Sequence, residues 1–182
     1  MPKSQSAMST VQDEVFDEMC KLHKVGFSLV PLGRGEQGKR PILGGFGPIR
    51  FPMKRVLAPM HRTGSTCYGI LLGSLVVLDC DVFDVNLVSS LEERFGTSPV
   101  HIQTPRGIHL YYQAGEGQLP NLKAEGLLVD VKRGATSYVM GPHSVRPDGG
   151  VYVSIKGSLT KEILPTIILP AARHRNLKIP EG

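Results

Sequence analysis

The spacing of apolar residues predicts three or four helices. Residues 10–24 and 84–95 carry apolar side chains every three to four positions, which is the period of an amphipathic helix. Gly26 ends the first of these helices, and Asp84 can cap the second. Their apolar stripes consist of Val11, Val15, Met19 and Leu22, and of Val85, Val88, Leu91 and Phe95. Weaker patterns predict short helices over residues 53–62 and 160–168.

Short apolar runs between glycine and proline turns predict roughly eight strands, besides a short one within a loop at residues 41–43. The runs cover residues 27–32, 41–43, 68–72, 75–81, 100–103, 108–113, 127–131, 138–140 and 151–155. Gly73 and Ser74 are expected to join the strands over residues 68–72 and 75–81. Because helices and strands do not alternate strictly, we expect an α+β fold with a mostly antiparallel sheet.

Length and composition describe an ordinary globular chain of 182 residues, with 41% hydrophobic and 20% charged residues. We expect one core over residues 1–170 and a loose basic tail over residues 171–182. The longest apolar run, residues 69–78, is too short to span a membrane. Three widely spaced cysteines match neither a disulfide framework nor a zinc site, which favours the cytoplasm.

Positive charge is concentrated in one part of the chain. Residues 21–66, the basic segment, contain nine lysines and arginines and only one acidic residue, Glu36. The basic residues are Lys21, Lys24, Arg34, Lys39, Arg40, Arg50, Lys54, Arg55 and Arg62. Such an excess suits a phosphate-rich partner such as a nucleic acid, although a solvated face without a partner would have the same composition.

Two aspartates end an apolar strand. In residues 76–81 the side chains alternate between faces, so Asp79 and Asp81 share one face and Cys80 points to the other. Neighbouring carboxylates repel each other unless a cation joins them, and oxygen ligands of this kind favour Mg²⁺ or Mn²⁺. Two solvated aspartates at a strand end are the alternative.

A third carboxylate, Asp130, follows another apolar strand. Asp130 and Lys132 share a face, and a third carboxylate would complete a site for two metal ions of the kind that polymerases use. Lys132 and Arg133 stand where they could meet phosphate oxygens. A structural ion pair with Asp130 is the alternative for these two residues.

A tight turn precedes a strand that carries a histidine. Pro105 and Gly107 favour the turn, and Arg106 stands between them. His109 follows on the strand, where it could donate a hydrogen bond to a phosphate oxygen. A structural histidine is the alternative.

These motifs resemble the archaeo-eukaryotic primase superfamily, and within it the prim-pol domains of plasmid, phage and other mobile-element replication proteins. The matching motifs, in the family's order, are Asp79-Cys80-Asp81, Arg106-Gly107-Ile108-His109 and Val129-Asp130. The resemblance covers roughly residues 20–155. It departs from the family pattern at Arg106, where a serine is usual.

The resemblance implies a two-lobed catalytic core with an RRM-like sheet. It implies that Asp79, Asp81 and Asp130 hold Mg²⁺ or Mn²⁺ in a two-metal site. It also implies that His109 contacts the phosphates of the incoming nucleotide, assisted by Arg106, Lys132 and Arg133. Lys39, Arg40, Lys54 and Arg55 are the residues expected to contact nucleic acid.

The implied activity is template-directed nucleotidyl transfer on single-stranded DNA, with nucleoside triphosphates as substrates. Further partners would be a helicase or another replication protein, and no membrane. Two alternatives stay open: a catalytically inactive relative that only binds single-stranded DNA, and a metal-dependent nuclease.

Overall fold

A computed structural model of the protein describes residues 3–45 and 50–170, which form three helices and seven strands. The helices are α1 (Lys3–Lys24), α2 (Met53–Thr63) and α3 (Val85–Phe95). The strands are β1 (Ser28–Arg34), β2 (Arg40–Pro41), β3 (Cys67–Cys80), β4 (His101–Gln103), β5 (Ile108–Gln113), β6 (Val129–Met140) and β7 (Val153–Lys156). The tail expected over residues 171–182 lies outside the described residues.

Strand β3 is the centre of a seven-stranded sheet in the order β2-β1-β3-β5-β4-β7, with β6 also paired to β3. Strand β1 pairs with the first half of β3, β5 pairs with the second half, and β6 pairs with both. Every pairing between these strands is antiparallel. The α+β class and the mostly antiparallel sheet are therefore confirmed.

The prediction of separate strands on either side of Gly73 and Ser74 was wrong, because β3 is continuous over 14 residues. Residues 127–131 and 138–140 were likewise expected to be two strands, and both contribute to the single strand β6. Gly73 of β3 pairs with Gly134 of β6, and the register shifts on either side of Gly73. Two glycines that face each other accommodate the irregularity, so the ladder continues across it.

Two hydrophobic clusters lie on opposite faces of the second half of β3. The smaller cluster joins β3 to α3 and includes Val76, Leu78, Cys80, Val88, Leu91 and Phe95. The larger cluster includes Val77 of β3 together with Val15, Met19 and Leu22 of α1 and Val56 and Met60 of α2. The side chain of Cys80 thus faces α3, and Asp79 belongs to the opposite face. The alternation of side chains along the strand predicted this difference.

Three of the four predicted helices are confirmed, and Asp84 caps α3 by accepting a hydrogen bond of 2.8 Å from the backbone N–H of Asn86. The helix predicted over residues 160–168 was wrong. Pro165 has no N–H to donate, and its carbonyl accepts from the backbone of Gln113, which in turn accepts from Ile167. This segment therefore makes its hydrogen bonds to the end of β5. No helix within residues 3–45 and 50–170 is long and apolar enough to cross a membrane.

Candidate functional site

Three predicted site residues form a row across neighbouring strands. Asp79 of β3 pairs with His109 of β5 on one side and with Asp130 of β6 on the other. Residues directly opposite each other in antiparallel strands have Cβ atoms about 4.5–5.5 Å apart and point to the same face. The sheet therefore brings these three side chains together.

His109 fixes the carboxylate of Asp79. Its Nε2 lies 3.3 Å from Asp79 Oδ1, and His109 is only 4% exposed. Burial alone would raise the pKa of Asp79, but the hydrogen bond and charge of His109 and the nearby Lys132 and Lys39 outweigh burial. The pKa of Asp79 consequently lies below its usual range, and the carboxylate is held ionised.

A lysine that the sequence did not single out joins the other two carboxylates. Lys123 Nζ lies 3.3 Å from Asp81 Oδ2 and 3.1 Å from Asp130 Oδ2. These hydrogen bonds to Asp130 and Asp81 raise the pKa of Lys123. Nothing local in the sequence marks Lys123, because a turn outside the sheet carries it to the end of β3.

The turn between β4 and β5 lies directly against β3. The backbone N–H of Gly107 donates to Thr104 Oγ1 at 2.9 Å, and the N–H of Thr104 donates to the Gly107 carbonyl at 3.0 Å. A Cβ at Gly107 would lie 1.7 Å from the carbonyl oxygen of Cys80. Only glycine permits this approach, which places the exposed Arg106 next to the carboxylates.

A cavity of about 420 Å³ at this face of the sheet collects side chains of both charges. Asp79, Asp81 and His109 line it together with three cationic side chains, Lys39, Arg106 and Arg146. A neighbouring cavity of about 240 Å³ shares Lys39, Asp79 and His109 and adds Lys132. Cations beside ionised carboxylates suit a ligand that brings both phosphate groups and metal ions.

Two further residues of the larger cavity, Arg146 and Tyr152, were not among the predicted site residues. Arg146 pairs with Asp148, which raises the pKa of the arginine and lowers that of the aspartate to about 2. Tyr152 is buried, and its ring centroid lies 6.2 Å from that of His109. Arg146 lies between β6 and β7 in a turn-forming stretch, whose composition indicates a loop but not the neighbours of that loop.

The sequence matches the family model described as bifunctional DNA primase/polymerase, N-terminal, over residues 21–171 of 182. The chain belongs to this family. The resemblance to prim-pol domains is thereby confirmed, and the family supports a DNA primase/polymerase-type function, with DNA and nucleotides as substrates. A search of curated proteins found no match.

Several residues expected to bind ligands line neither of these two cavities. Arg133 pairs with Val76, whose side chain packs towards α3, so Arg133 lies on the opposite face from Asp79. Lys54 and Arg55 are exposed on α2, where the Arg55 guanidinium lies 4.6 Å from the centroid of the Phe51 ring. The exposed Arg40 also lines neither cavity, in contrast to its neighbour Lys39.

The three carboxylates of the candidate site, Asp79, Asp81 and Asp130, are divided into two sets. Within the described parts of the chain, no three His, Cys, Asp or Glu side chains are gathered closely enough to hold one metal ion together. Asp79 is bound by His109, whereas Asp81 and Asp130, the carboxylate pair, share Lys123. The carboxylate pair already holds a cationic group between its oxygens, so its chemistry and spacing fit a cation.

Proposed function

We propose that this prim-pol domain transfers nucleotides on a single-stranded DNA template by a two-metal mechanism. The observation that carries the proposal is the row of His109, Asp79 and Asp130 on one face of the sheet, with Asp81 at the end of the same strand. The cavity beside this row is lined by the cationic side chains that a triphosphate requires.

Asp79, Asp81 and Asp130 would hold Mg²⁺ or Mn²⁺. Metal ions bound there would activate the primer 3′-hydroxyl and neutralise charge on the triphosphate and the departing pyrophosphate. The residues of the chain would position the primer and the triphosphate, because phosphoryl transfer of this kind depends on alignment and charge more than on a covalent nucleophile. His109 keeps Asp79 oriented and ionised before any ligand binds.

The triphosphate would lie against Arg106, Arg146 and Lys39. Burial and the charge of Arg146 lower the pKa of Lys39, which indicates that positive charge is crowded on this side of the cavity. An anionic ligand would relieve that crowding. Lys132 would reach the same phosphates from the neighbouring cavity.

His109 is proposed to contact the phosphates through Nε2. In the structure this nitrogen faces Asp79, and His109 lines both cavities. With a triphosphate in the cavity, the Nε2–H group would donate its hydrogen bond to a phosphate oxygen in place of Asp79. Arg133, on the other face, is not part of this proposal.

One assay tests the activity and its alternatives together. The chain is incubated with single-stranded template, with and without a primer, with Mg²⁺ or Mn²⁺ and with ribo- or deoxynucleoside triphosphates. Template-dependent products that require metal are expected. Cleavage of the template without synthesis would instead indicate a metal-dependent nuclease.

The second candidate is a domain that binds single-stranded DNA without catalysis. The basic segment, with Lys54 and Arg55 exposed on α2, favours DNA binding independently of the carboxylates. Tight, salt-sensitive binding without any incorporation under either metal would establish this function and exclude the first. In both cases we propose a role in plasmid- or phage-type replication beside other replication proteins, a helicase among them.

A further inference from the structure

We propose that Lys123 is a built-in counter-ion that occupies a metal position between Asp81 and Asp130 and leaves it when metal binds. The inference rests on the proposed function, because it assumes that the carboxylate pair receives a metal ion. It assigns Lys123 a role in setting metal affinity, as a positioning residue that acts through the two carboxylates.

The contacts of Lys123 define that role. Its Nζ atom lies within hydrogen-bonding distance of both Asp81 Oδ2 and Asp130 Oδ2, at 3.3 and 3.1 Å. A metal ion held by both carboxylates would need the space in which the ammonium group lies, and the two cations would repel each other. Lys123 and the metal ion therefore compete for the carboxylate pair.

The backbone beneath Lys123 is anchored, so the exchange requires only a side-chain movement. Leu122 is buried beside α3, and its carbonyl accepts hydrogen bonds from the backbone of Glu125 and Leu127. The Glu125 carboxylate accepts two hydrogen bonds from Arg94 of α3, at 2.8 and 3.1 Å. These contacts hold the turn while the flexible lysine side chain can swing into solvent.

The exposure of the three groups makes Lys123 displaceable. The side chain of Lys123 is 48% exposed, and those of Asp81 and Asp130 are 41% and 38% exposed. Ion pairs between half-exposed groups are weak because water screens them and because a long side chain loses freedom in the pair. A divalent ion brings two positive charges where Lys123 has one, so the ion displaces Lys123 from the carboxylate pair. The displacement lowers the affinity for the ion only modestly.

The direct test is a titration of the full chain with Mn²⁺. The electron paramagnetic resonance signal of free Mn²⁺ reports how much of the ion is bound. Lys123→Met keeps much of the length of the side chain and removes its charge, so it is expected to bind Mn²⁺ roughly three- to tenfold more tightly than the unaltered protein. Lys123→Arg keeps the charge and is expected to show no tightening. Lys161→Met, at an exposed lysine remote in sequence, is the matched control and should leave the affinity unchanged.

The outcomes separate this inference from the proposed function. If Asp81→Asn weakens Mn²⁺ binding but Lys123→Met leaves it unchanged or weaker, the metal site stands and the role of Lys123 is refuted. If Mn²⁺ does not bind to the unaltered protein or to Lys123→Met, both the metal site and the role of Lys123 are refuted.

A second measurement uses the unaltered protein and does not depend on the folding of a variant. Acetylation of lysine amines is read by mass spectrometry with and without Mg²⁺. An amine held between two carboxylates reacts slowly, so Mg²⁺ should increase labelling of Lys123 at least about twofold relative to Lys161. Unchanged or reduced labelling of Lys123 at a Mg²⁺ concentration that occupies the site would contradict the displacement.

Discussion

At the scale of single residues, Cys80 shows how sharply the two faces of β3 differ. Its side chain packs against α3 and is only 1% exposed, although its neighbours in sequence are Asp79 and Asp81. Burial and the two aspartates raise the pKa of the Cys80 thiol to about 12, and burial raises that of Cys67 to about 11.

We therefore predict that a thiol reagent modifies only one of the three cysteines in the folded protein. Cys20 is exposed on α1, whereas the other two thiols are buried and protonated at neutral pH. A colorimetric thiol assay should count one fast-reacting group, and Cys20→Ser should remove it. A second thiol that reacts equally fast without denaturant would contradict the burial of Cys67 or Cys80.

The lowered pKa of Asp79 gives a stability effect with a definite sign. Its carboxylate is more acidic in the folded chain than the usual value of 3.8, so its ionised form stabilises the fold above that value. This contribution is lost as the pH falls below 3.8 and through the lower pKa of the folded state.

When a chelator removes divalent metal ions, the free energy of unfolding of the unaltered protein should exceed that of Asp79→Asn by about 1 kcal/mol at neutral pH. The difference should shrink in acid, where the aspartate becomes protonated and resembles asparagine. Urea unfolding at a series of pH values measures it, with Asp13→Asn on the exposed side of α1 as control. A difference that stays constant into acid would show that the Asp79 charge does not stabilise the fold.

The alternation of side chains between the two faces of a strand was enough to predict part of the candidate site. The alternation of side chains in β3 places Asp79 and Asp81 opposite Cys80, and the alternation in β6 places Asp130 with Lys132. This alternation does not predict which residues from distant parts of the sequence lie beside a strand. Lys123 and Arg146 stand outside the recognised motifs, and turns between strands bring them to the carboxylates.

At the scale of elements, the contact between the Thr104–Gly107 turn and β3 fixes the position of β5. We predict that Gly107→Ala destabilises the protein by at least about 2 kcal/mol, because the new Cβ would clash with the Cys80 carbonyl and a backbone atom has no rotamer with which to move away. Chemical denaturation measures the change.

Gly44→Ala is the matched control for this substitution. Among the described residues, no atom lies within 4 Å of the Cβ that alanine would add there. Its free energy of unfolding should change by no more than about 0.5 kcal/mol. If Gly107→Ala were as mild as this control, the close packing of β5 on β3 would be wrong.

Element boundaries were predicted well where local chemistry sets them and poorly where pairing sets them. Asp84 caps α3 through its own side chain, so this helix could be predicted from residues 84–95 alone. By contrast, the continuity of β3 across Gly73 depends on the opposing Gly134, which lies about sixty positions away. The segment after Lys161 pairs with Gln113, which a local helical period cannot reveal.

At the scale of the whole molecule, positive charge is available on α2 as well as in the cavity. Lys54 and Arg55 are exposed and line neither of the two cavities beside Asp79, so any contact with DNA phosphates there is separate from those cavities. Each phosphate contact on a single strand contributes about 0.7 to the slope of log affinity against log salt concentration.

Combined Lys54→Ala and Arg55→Ala should therefore lower the salt slope of single-stranded DNA binding by about 1.4, since two phosphate contacts are lost. Fluorescence anisotropy of a labelled oligonucleotide over a range of salt concentrations measures the slope. Lys161→Ala, outside the basic segment, should leave it unaltered. An unchanged slope in the double variant would remove α2 from the DNA-binding surface.

We propose that Asp79, Asp81 and Asp130 hold the metal ions for nucleotidyl transfer. Primer extension on a single-stranded template, with Mg²⁺ or Mn²⁺, tests it most directly when the three single Asp→Asn variants are compared with Asp13→Asn. Each of the three variants should lose at least about 100-fold in incorporation rate, while Asp13→Asn should retain it. Incorporation at the unaltered rate in the variants at Asp79 and Asp81 would contradict the proposed role of these carboxylates.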